Sequence, residues 1–166
     1  DLIPSKFSFR NLDLQLEDMK KSTRKLKQIL QPLEKDYDYL FLDCPPNITL
    51  VSENVLFAAD LILVPIIPTT LSLRTYEKLE DFLKKQRISK SKLRPFFSMV
   101  ELRKKLHRDT MEEMAPNSTF LKNVIPYRSD VERMGLLREP VIHSHPRSSA
   151  SKAYEILWQE LKEQDL

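Results

Sequence analysis

The sequence is almost without glycine, because Gly135 is the only one in its 166 residues. A loop that cradles phosphate needs residues that let several backbone N–H groups close around oxygen atoms, and glycine does this without a steric cost. No segment of this sequence has the composition of such a loop. If the chain serves a nucleotide, we expect the phosphate-binding half of the site on a preceding segment or on a partner.

Cysteine and long apolar runs are also scarce. Cys44 is the single cysteine, which excludes an internal disulfide, and no stretch approaches the length of a membrane-spanning helix. No secretory signal precedes the first predicted strand. These features predict a cytoplasmic protein with no membrane partner. The chain begins at Asp1 rather than at methionine, and we expect it to be a fragment of a longer protein.

Basic residues are concentrated in one part of a sequence whose net charge is only +3. Between Lys84 and Arg108 there are ten lysines or arginines and one acid, Glu101, so this segment carries +9 and the remainder −6. Such clustering is typical of a protein with a polyanionic partner. It is equally compatible with a solvated helix face, and the sequence leaves both interpretations open.

Apolar spacing predicts strands and helices in strict alternation along the chain. The predicted strands are 1–5, 39–43, 61–68, 95–100 and 120–125, with pairing of the third ending near Pro65. The predicted helices are 12–33, 50–59, 71–85, 104–115 and a last one capped by Ser148. This order predicts an α/β fold in which a mostly parallel sheet is flanked by helices on both faces. We expect residues 1–166 to form one domain, with 126–147 as its long loop.

The most informative candidate site residue is Asp43. It follows an apolar, aromatic segment typical of a strand buried on both faces, and Pro45 and Pro46 then force the chain out of the sheet. Ligands of open α/β sheets bind beyond the carboxyl ends of the strands, so Asp43 is placed to hold a metal-bound phosphate or to accept a phosphoryl group. A phosphoacceptor domain would also need an acidic pair after the first strand and a lysine after the last, and neither is visible.

Several segments, in their order and spacing, resemble one known family. Asp1–Pro4 is similar to the strand end before its long helix, Tyr37–Pro46 to its Walker B and switch II segment, and Ala58–Pro68 to its next strand. Ile125-Pro126 with Arg138–Val141 resembles its strand and loop near the adenine pocket. The chain is therefore identified as the C-terminal portion of a ParA/Soj/MinD-type deviant-Walker partitioning ATPase. The fold implied is that of a P-loop NTPase without its N-terminal strand, loop and helix.

The resemblance implies roles in nucleotide chemistry for six residues. Asp43 would hold Mg²⁺ or its water, since the metal bridges phosphate oxygens in this chemistry. Pro45, Pro46 and Asn47 would belong to the switch loop that senses the γ-phosphate of ATP. Met99 would pack near the adenine base and Pro126 would line its edge.

It also implies a role in DNA partitioning. The family forms ATP-dependent homodimers that bind DNA non-specifically on the nucleoid and hydrolyse ATP when a ParB-like partner stimulates them. The residues that match or extend its DNA-binding position are Arg103, Lys104, Lys105 and Arg108. A second basic position of the family is Asp130 here. We expect the fragment alone to be inactive, and the alternative is a non-enzymatic DNA-binding or adaptor module with the same fold.

The remaining candidates have plainer interpretations. His107, His143 and His145 lack a nearby cluster of cysteines or carboxylates and are interpreted as surface or loop residues. Leu106, Met111 and Met114 are expected to pack the helix 104–115 against the core. Met99 and Trp158 also lie on apolar stripes and are interpreted as core residues. Cys44 is interpreted as a packed, unreactive thiol.

Overall fold

The computed structural model describes residues 1–4, 11–17, 22–44 and 48–165. These residues divide into two compact units, Asp1–Asp60 and Leu61–Leu166, and each unit is described by itself. The expectation that the chain forms a single domain stays a prediction. No helix in the described ranges is both long and apolar enough to cross a membrane.

The first unit is helical. It contains α1 (Leu12–Glu17), α2 (Lys25–Leu30) and α3 (Leu50–Ala58), with 3₁₀ turns at Ser22–Arg24 and Gln31–Lys35. Polar side chains tie these helices together, because the Asp13 carboxylate accepts from the Val51 N–H at 2.8 Å and the Asn54 side chain accepts from the Leu26 N–H at 3.2 Å. Helix α3 was predicted at 50–59, and the structure confirms it.

The predicted helix 12–33 is wrong as a single element. Within the described residues it is broken into α1, a 3₁₀ turn and α2, and residues 18–21 lie outside the description. Pro32 ends α2, since proline has no N–H for the next helical bond and its ring clashes with the preceding turn. A tighter 3₁₀ turn over Gln31–Lys35 follows instead.

The predicted strands 1–5 and 39–43 are also wrong. Residues 1–4 and 39–44 have no regular secondary structure, Ser5 lies outside the description, and Phe41 is 73% exposed where a strand buried on both faces was expected. The sheet of the described residues consists of two strands, both from the second unit. A segment becomes a strand only when its backbone groups join a ladder, and apolar composition alone does not supply one.

The second unit has the predicted α/β order. Its strands are β1 (Ile62–Ile66) and β2 (Leu93–Phe97), and its long helices are α4 (Thr70–Lys85), α5 (Lys105–Met114) and α9 (Ser149–Asp165). The strands run parallel in the register Ile62 to Leu93 through Ile66 to Phe97. Pairing therefore continues one residue past Pro65, where it was expected to end.

Helices cover both faces of this parallel sheet. Neighbouring side chains of a strand point to opposite faces, and Phe96 packs against the cluster that α9 forms through Leu157 and Leu161. Phe97 instead contacts Phe120, whose ring meets that of Tyr76 from α4 at a centroid distance of 5.6 Å. The two helices thus bury opposite faces, as the predicted α/β class requires.

The predicted strand 120–125 runs beside β2 without becoming a regular strand. The Leu121 and Ile125 N–H groups donate to Pro95 and Phe97 oxygens, both at 2.9 Å. Between them, the Lys122 and Asn123 N–H groups donate to the Glu160 carboxylate of α9 at 2.7 and 3.0 Å. Because these donors are turned toward a helix side chain, the ladder is interrupted.

The segment 126–147 was predicted to be a loop and is largely helical. It contains α6 (Ser129–Glu132), α7 (Met134–Leu137) and α8 (Val141–Ser144), each a single turn. The Ser148 hydroxyl then accepts from the Ser151 N–H at 3.1 Å, which confirms the predicted cap of α9. Helices this short show little apolar periodicity, and sequence patterns predict them poorly.

Candidate functional site

Asp43 is exposed at the end of the irregular segment 39–44 of the first unit. Cys44 beside it is also exposed, so its expected packing is wrong. Partial desolvation, and after it the neighbouring Asp43 carboxylate, raise the pKa of the Cys44 thiol. The thiol is therefore protonated at neutral pH and a weak nucleophile. Pro45, Pro46 and Asn47, the predicted switch residues, lie outside the described residues.

Met99 and Pro126 lie beyond the carboxyl end of β2 in the second unit. Val100 forms an isolated parallel bridge with Pro126, since its N–H donates to the Ile125 oxygen and its own oxygen accepts from the Tyr127 N–H, both at 3.0 Å. This bridge brings Pro126 beside the residue that follows Met99, at the edge where α/β sheets bind ligands.

Met99 has an unusual backbone at this edge. Its φ is 54°, in the left-handed region that side chains other than glycine rarely adopt, and its side chain is 44% exposed. The expectation that Met99 belongs to the core is therefore wrong. Residues held in such conformations cluster at ligand sites, because the surrounding structure must stabilise the strain. A flexible thioether on this edge can contact a flat apolar ligand.

His107 stabilises the loop that follows Val100. Its ring is 4% exposed, and Nδ1 accepts from the Glu101 N–H at 3.1 Å. The expectation that His107 lies on the surface is wrong, and so is the expected packing of Leu106, which is 51% exposed. Helical spacing accounts for both, since His107 precedes Met111 by four residues and Met114 by seven, whereas Leu106 lies off that face.

The four predicted DNA-binding residues lie together around this loop, but their surroundings differ. The Lys104 ammonium pairs with the Glu101 carboxylate, and Arg108 Nη1 donates to the Leu102 oxygen at 2.7 Å. Arg103 and Lys105 are exposed and make no ion pair with any described residue. Arg103 and Lys105 therefore present their charge to solvent. Lys104 and Arg108 instead stabilise the loop through their contacts with Glu101 and Leu102.

The loop also meets the segment after Pro126. The Tyr127 hydroxyl donates to Glu132 at 2.9 Å, and this hydrogen bond, followed by the charge of Glu132, raises the pKa of Tyr127. Asp130 lies 3.9 Å from Arg128 in a loose ion pair. Both side-chain contacts lie within the segment 127–132.

Sequence reasoning missed Glu160. This carboxylate is 8% exposed and accepts from two backbone N–H groups, from Asn123 Nδ2 at 2.7 Å and from Gln164 Nε2 at 3.2 Å. Burial acts to raise the pKa of Glu160, but these hydrogen bonds outweigh it, and the pKa is lowered. The available signal was its position three residues after Leu157, on the apolar face of α9.

Comparison with known proteins places these features in a family. A model of the AAA domain family matches residues 1–96. The sporulation initiation inhibitor protein Soj of Bacillus subtilis is 25% identical over 163 residues, covering 93% of this chain and 63% of Soj. The chromosome partitioning protein ParA of Myxococcus xanthus is 24% identical over 175 residues, covering 99% of this chain and 60% of that protein.

The chain belongs to the ParA/Soj/MinD-type ATPase family. A plasmid partition protein from Borrelia burgdorferi, solved with AMPPNP bound, superposes with a TM-score of 0.83 at 20% identity, covering 98% of this chain and 64% of that one. This likeness shows an α/β fold with a parallel sheet flanked by helices, which confirms the predicted class. The chain spans 63% of the length of Soj.

Proposed function

We propose that this chain is the portion of a ParA-type partition ATPase that carries the metal-binding carboxylate, the adenine edge and the DNA-binding loop. The whole protein binds ATP and Mg²⁺, dimerises, and binds DNA non-specifically on the nucleoid in the cytoplasm. A ParB-like partner stimulates its hydrolysis of ATP. The isolated chain does not turn over ATP, because its single glycine cannot build a phosphate loop.

The observation that carries this proposal is the exposed Asp43 carboxylate inside the stretch that the AAA domain match covers. A carboxylate is a hard oxygen donor, and Mg²⁺ in nucleotide sites is held by one or two such groups together with substrate phosphates. Asp43 therefore fits an Mg²⁺ ion that takes its other ligands from phosphate and water.

When bound, Mg²⁺ neutralises charge that develops on the phosphate oxygens. The residues of this chain would position the ion and the nucleotide. Asp43 would hold the ion or its water from the end of the segment 39–44, and Pro45, Pro46 and Asn47 would belong to the switch segment that senses the γ-phosphate. Met99 would pack near the adenine and Pro126 would line its edge.

The proposed DNA contact uses the loop patch, which we define as Arg103, Lys104, Lys105 and Arg108. Arg103 and Lys105 are exposed and make the direct phosphate contacts. Lys104 and Arg108 hold the loop through Glu101 and the Leu102 carbonyl. Phosphate contacts of this kind carry no sequence information, in keeping with non-specific binding.

The test uses the longer protein that contains this chain together with its upstream segment. Asp43→Ala is expected to abolish ATP turnover in a phosphate-release assay while leaving the circular dichroism spectrum unchanged. Asp36→Ala, an exposed carboxylate seven residues earlier and outside the Walker B segment, is the matched control and is expected to keep full activity. Full turnover in the Asp43 variant would remove this residue from the mechanism.

The alternative is an adaptor that keeps the fold without a nucleotide. It is favoured by the single glycine of the 166 residues. Equilibrium dialysis of the longer protein against ATP and Mg²⁺ separates the two functions. Binding supports the ATPase, and its absence in a folded protein that still retains DNA would establish the adaptor.

A further inference from the structure

Strand β2 divides the basic segment of the sequence into two separate surfaces. Residues 84–90 precede the first residue of β2, and residues 103–108 follow its last. A five-residue strand spans about 13 Å from its first Cα to its last, at a rise of roughly 3.3 Å per residue. The charge that looks continuous in sequence therefore lies at opposite ends of the sheet. We call the surface formed by Lys84, Lys85, Arg87 and Lys90 the helix-end patch.

The helix-end patch is built on a closed helix terminus. The Ile88 N–H donates to the Leu83 oxygen at 2.9 Å and the Arg87 N–H to the Lys84 oxygen at 3.1 Å. These are the two bonds of a Schellman motif, and Ile88 and Leu83, which hold the positions of its usual apolar contact, are both buried. The last carbonyls of α4 are thus satisfied by the backbone, and lysine side chains are not needed to pair with them.

Arg87 occupies the position of this motif that normally belongs to glycine. Its φ is 58°, in the left-handed region, where a side chain is unfavourable because Cβ crowds the backbone. The motif would be more stable with glycine. The structure keeps a cation there at the expense of stability, and such local strain is found at functional positions.

The charges of the helix-end patch are available to a ligand. Lys84, Lys85 and Arg87 are exposed, and no described residue forms an ion pair with them. Lys90 lies 3.4 Å from Glu80, so its charge is partly neutralised. Lys84, Arg87 and Lys90 line an open groove of about 590 Å³ together with Ile88 and Ser89. Two cations without an ion pair among the described residues, Lys84 and Arg87, thus line the open groove beside the partly neutralised Lys90, and this charge suits a phosphate chain better than a compact apolar ligand.

We propose that the helix-end patch is a second contact surface for the nucleic-acid phosphate backbone, separate from the loop patch. This inference rests on the proposed DNA-binding function and extends it to the opposite end of the sheet. Binding then has two electrostatic components, and each adds its own share to the salt dependence. Neutralising one phosphate contributes about 0.9 to the slope of log affinity against log salt concentration.

The experiment measures binding of a fluorescent 24-base-pair duplex of random sequence by anisotropy. It uses the longer protein with ATP and Mg²⁺, between about 50 and 200 mM salt. Lys84→Gln/Arg87→Gln is expected to make the slope less steep by about 1.8, so that the variant loses roughly tenfold less affinity than the wild type across this range. Lys152→Gln/Lys162→Gln, two exposed lysines of α9, removes the same charge and is expected to leave the slope unchanged.

One further variant distinguishes the effect of lost charge on DNA binding from the effect of a damaged fold. Arg87→Gly is expected to raise the thermal unfolding midpoint and at the same time to make the slope less steep by about 0.9. A stabilised variant that binds less strongly cannot be explained by damage to the fold. If Arg87→Gly and the double variant both keep the wild-type slope, the helix-end patch is only a solvated surface and the inference is wrong.

Failure of the proposed function gives a different result. Arg103→Gln/Lys105→Gln in the loop patch is also expected to reduce the slope by about 1.8. If this variant loses binding while the helix-end variants behave as wild type, the proposed function stands and the second surface does not. If the wild-type protein binds no duplex even at 50 mM salt, DNA binding itself is refuted, and the second surface with it.

Discussion

Replacing Glu160 by glutamine is expected to destabilise the second unit. The carboxylate accepts from the Lys122 N–H at 2.7 Å and from Asn123 through both its backbone and its side chain. In glutamine one oxygen becomes an NH₂ group, which faces the two Asn123 donors and leaves them without an acceptor. Leaving buried donors unsatisfied costs about 1–3 kcal/mol, and charge-assisted bonds lie at the upper end. We therefore expect a loss of about 2–3 kcal/mol.

The effect should depend on pH with a definite sign. The hydrogen bonds lower the pKa of Glu160 in the folded protein below its ordinary value of 4.5. The stabilisation is therefore fully present above that value and is lost as the pH falls through the lowered folded pKa. The difference between wild type and Glu160→Gln should be constant from pH 6 to 8 and shrink below about pH 4.

The assay is thermal unfolding followed by circular dichroism at several pH values. For a chain of this size 1 kcal/mol shifts the midpoint by about 2–4 °C, so the variant should unfold roughly 4–12 °C lower at pH 7. Glu163→Gln, an exposed neighbour on α9, is the matched control and should change little. A Glu160→Gln variant as stable as wild type, or a difference that persists unchanged at pH 3, would refute the reasoning.

Three further predictions concern stability and titration. His107→Leu removes the acceptor of the Glu101 N–H and should lower the free energy of unfolding by about 1–2 kcal/mol in urea titrations, whereas exposed His143→Leu should not. Burial raises the pKa of Tyr76 to about 12, so stability should fall between pH 10 and 12, and Tyr76→Phe should remove one late step from the ultraviolet titration at alkaline pH. Gly135→Ala should raise the free energy of unfolding by about 0.5–1 kcal/mol, because Gly135 lies in α7 with no atom within 4 Å of an added Cβ, and a thermal midpoint no higher than wild type would contradict it.

The parts of the fold that sequence could predict are those whose pattern is local. Helices α3, α4, α5 and α9 carry apolar residues at helical spacing, and β1 and β2 are short, mostly apolar runs that each contain a proline. The four helices were predicted at nearly their observed bounds, whereas β2 lies two to three residues earlier than the predicted strand 95–100. The alternation of strand and helix also predicted parallel pairing, since a connection that contains a helix returns the chain in the same direction.

The parts that sequence could not predict depend on distant partners. The segment 39–43 has the composition of a strand, but a strand exists only beside another. The strand 120–125 was interrupted by Glu160, which lies 37 residues beyond Asn123. The basic residues also depend on the fold for their position. Lys84 and Arg103 belong to one basic segment of the sequence, but the fold places them at opposite ends of β2.

Backbone sterics favour glycine at positions with a left-handed φ, but the glycine of this chain lies elsewhere. The one glycine sits in a helix that would accept alanine, whereas Arg87, Met99 and Arg138 occupy left-handed positions. This arrangement suggests two stabilising substitutions. Replacing Gly135 by alanine in the helix and Arg138 by glycine in the turn after it should yield a more stable protein with β2 and its neighbouring loops unchanged. Weakened variants of the candidate sites could then be compared in that background without unfolding at the assay temperature.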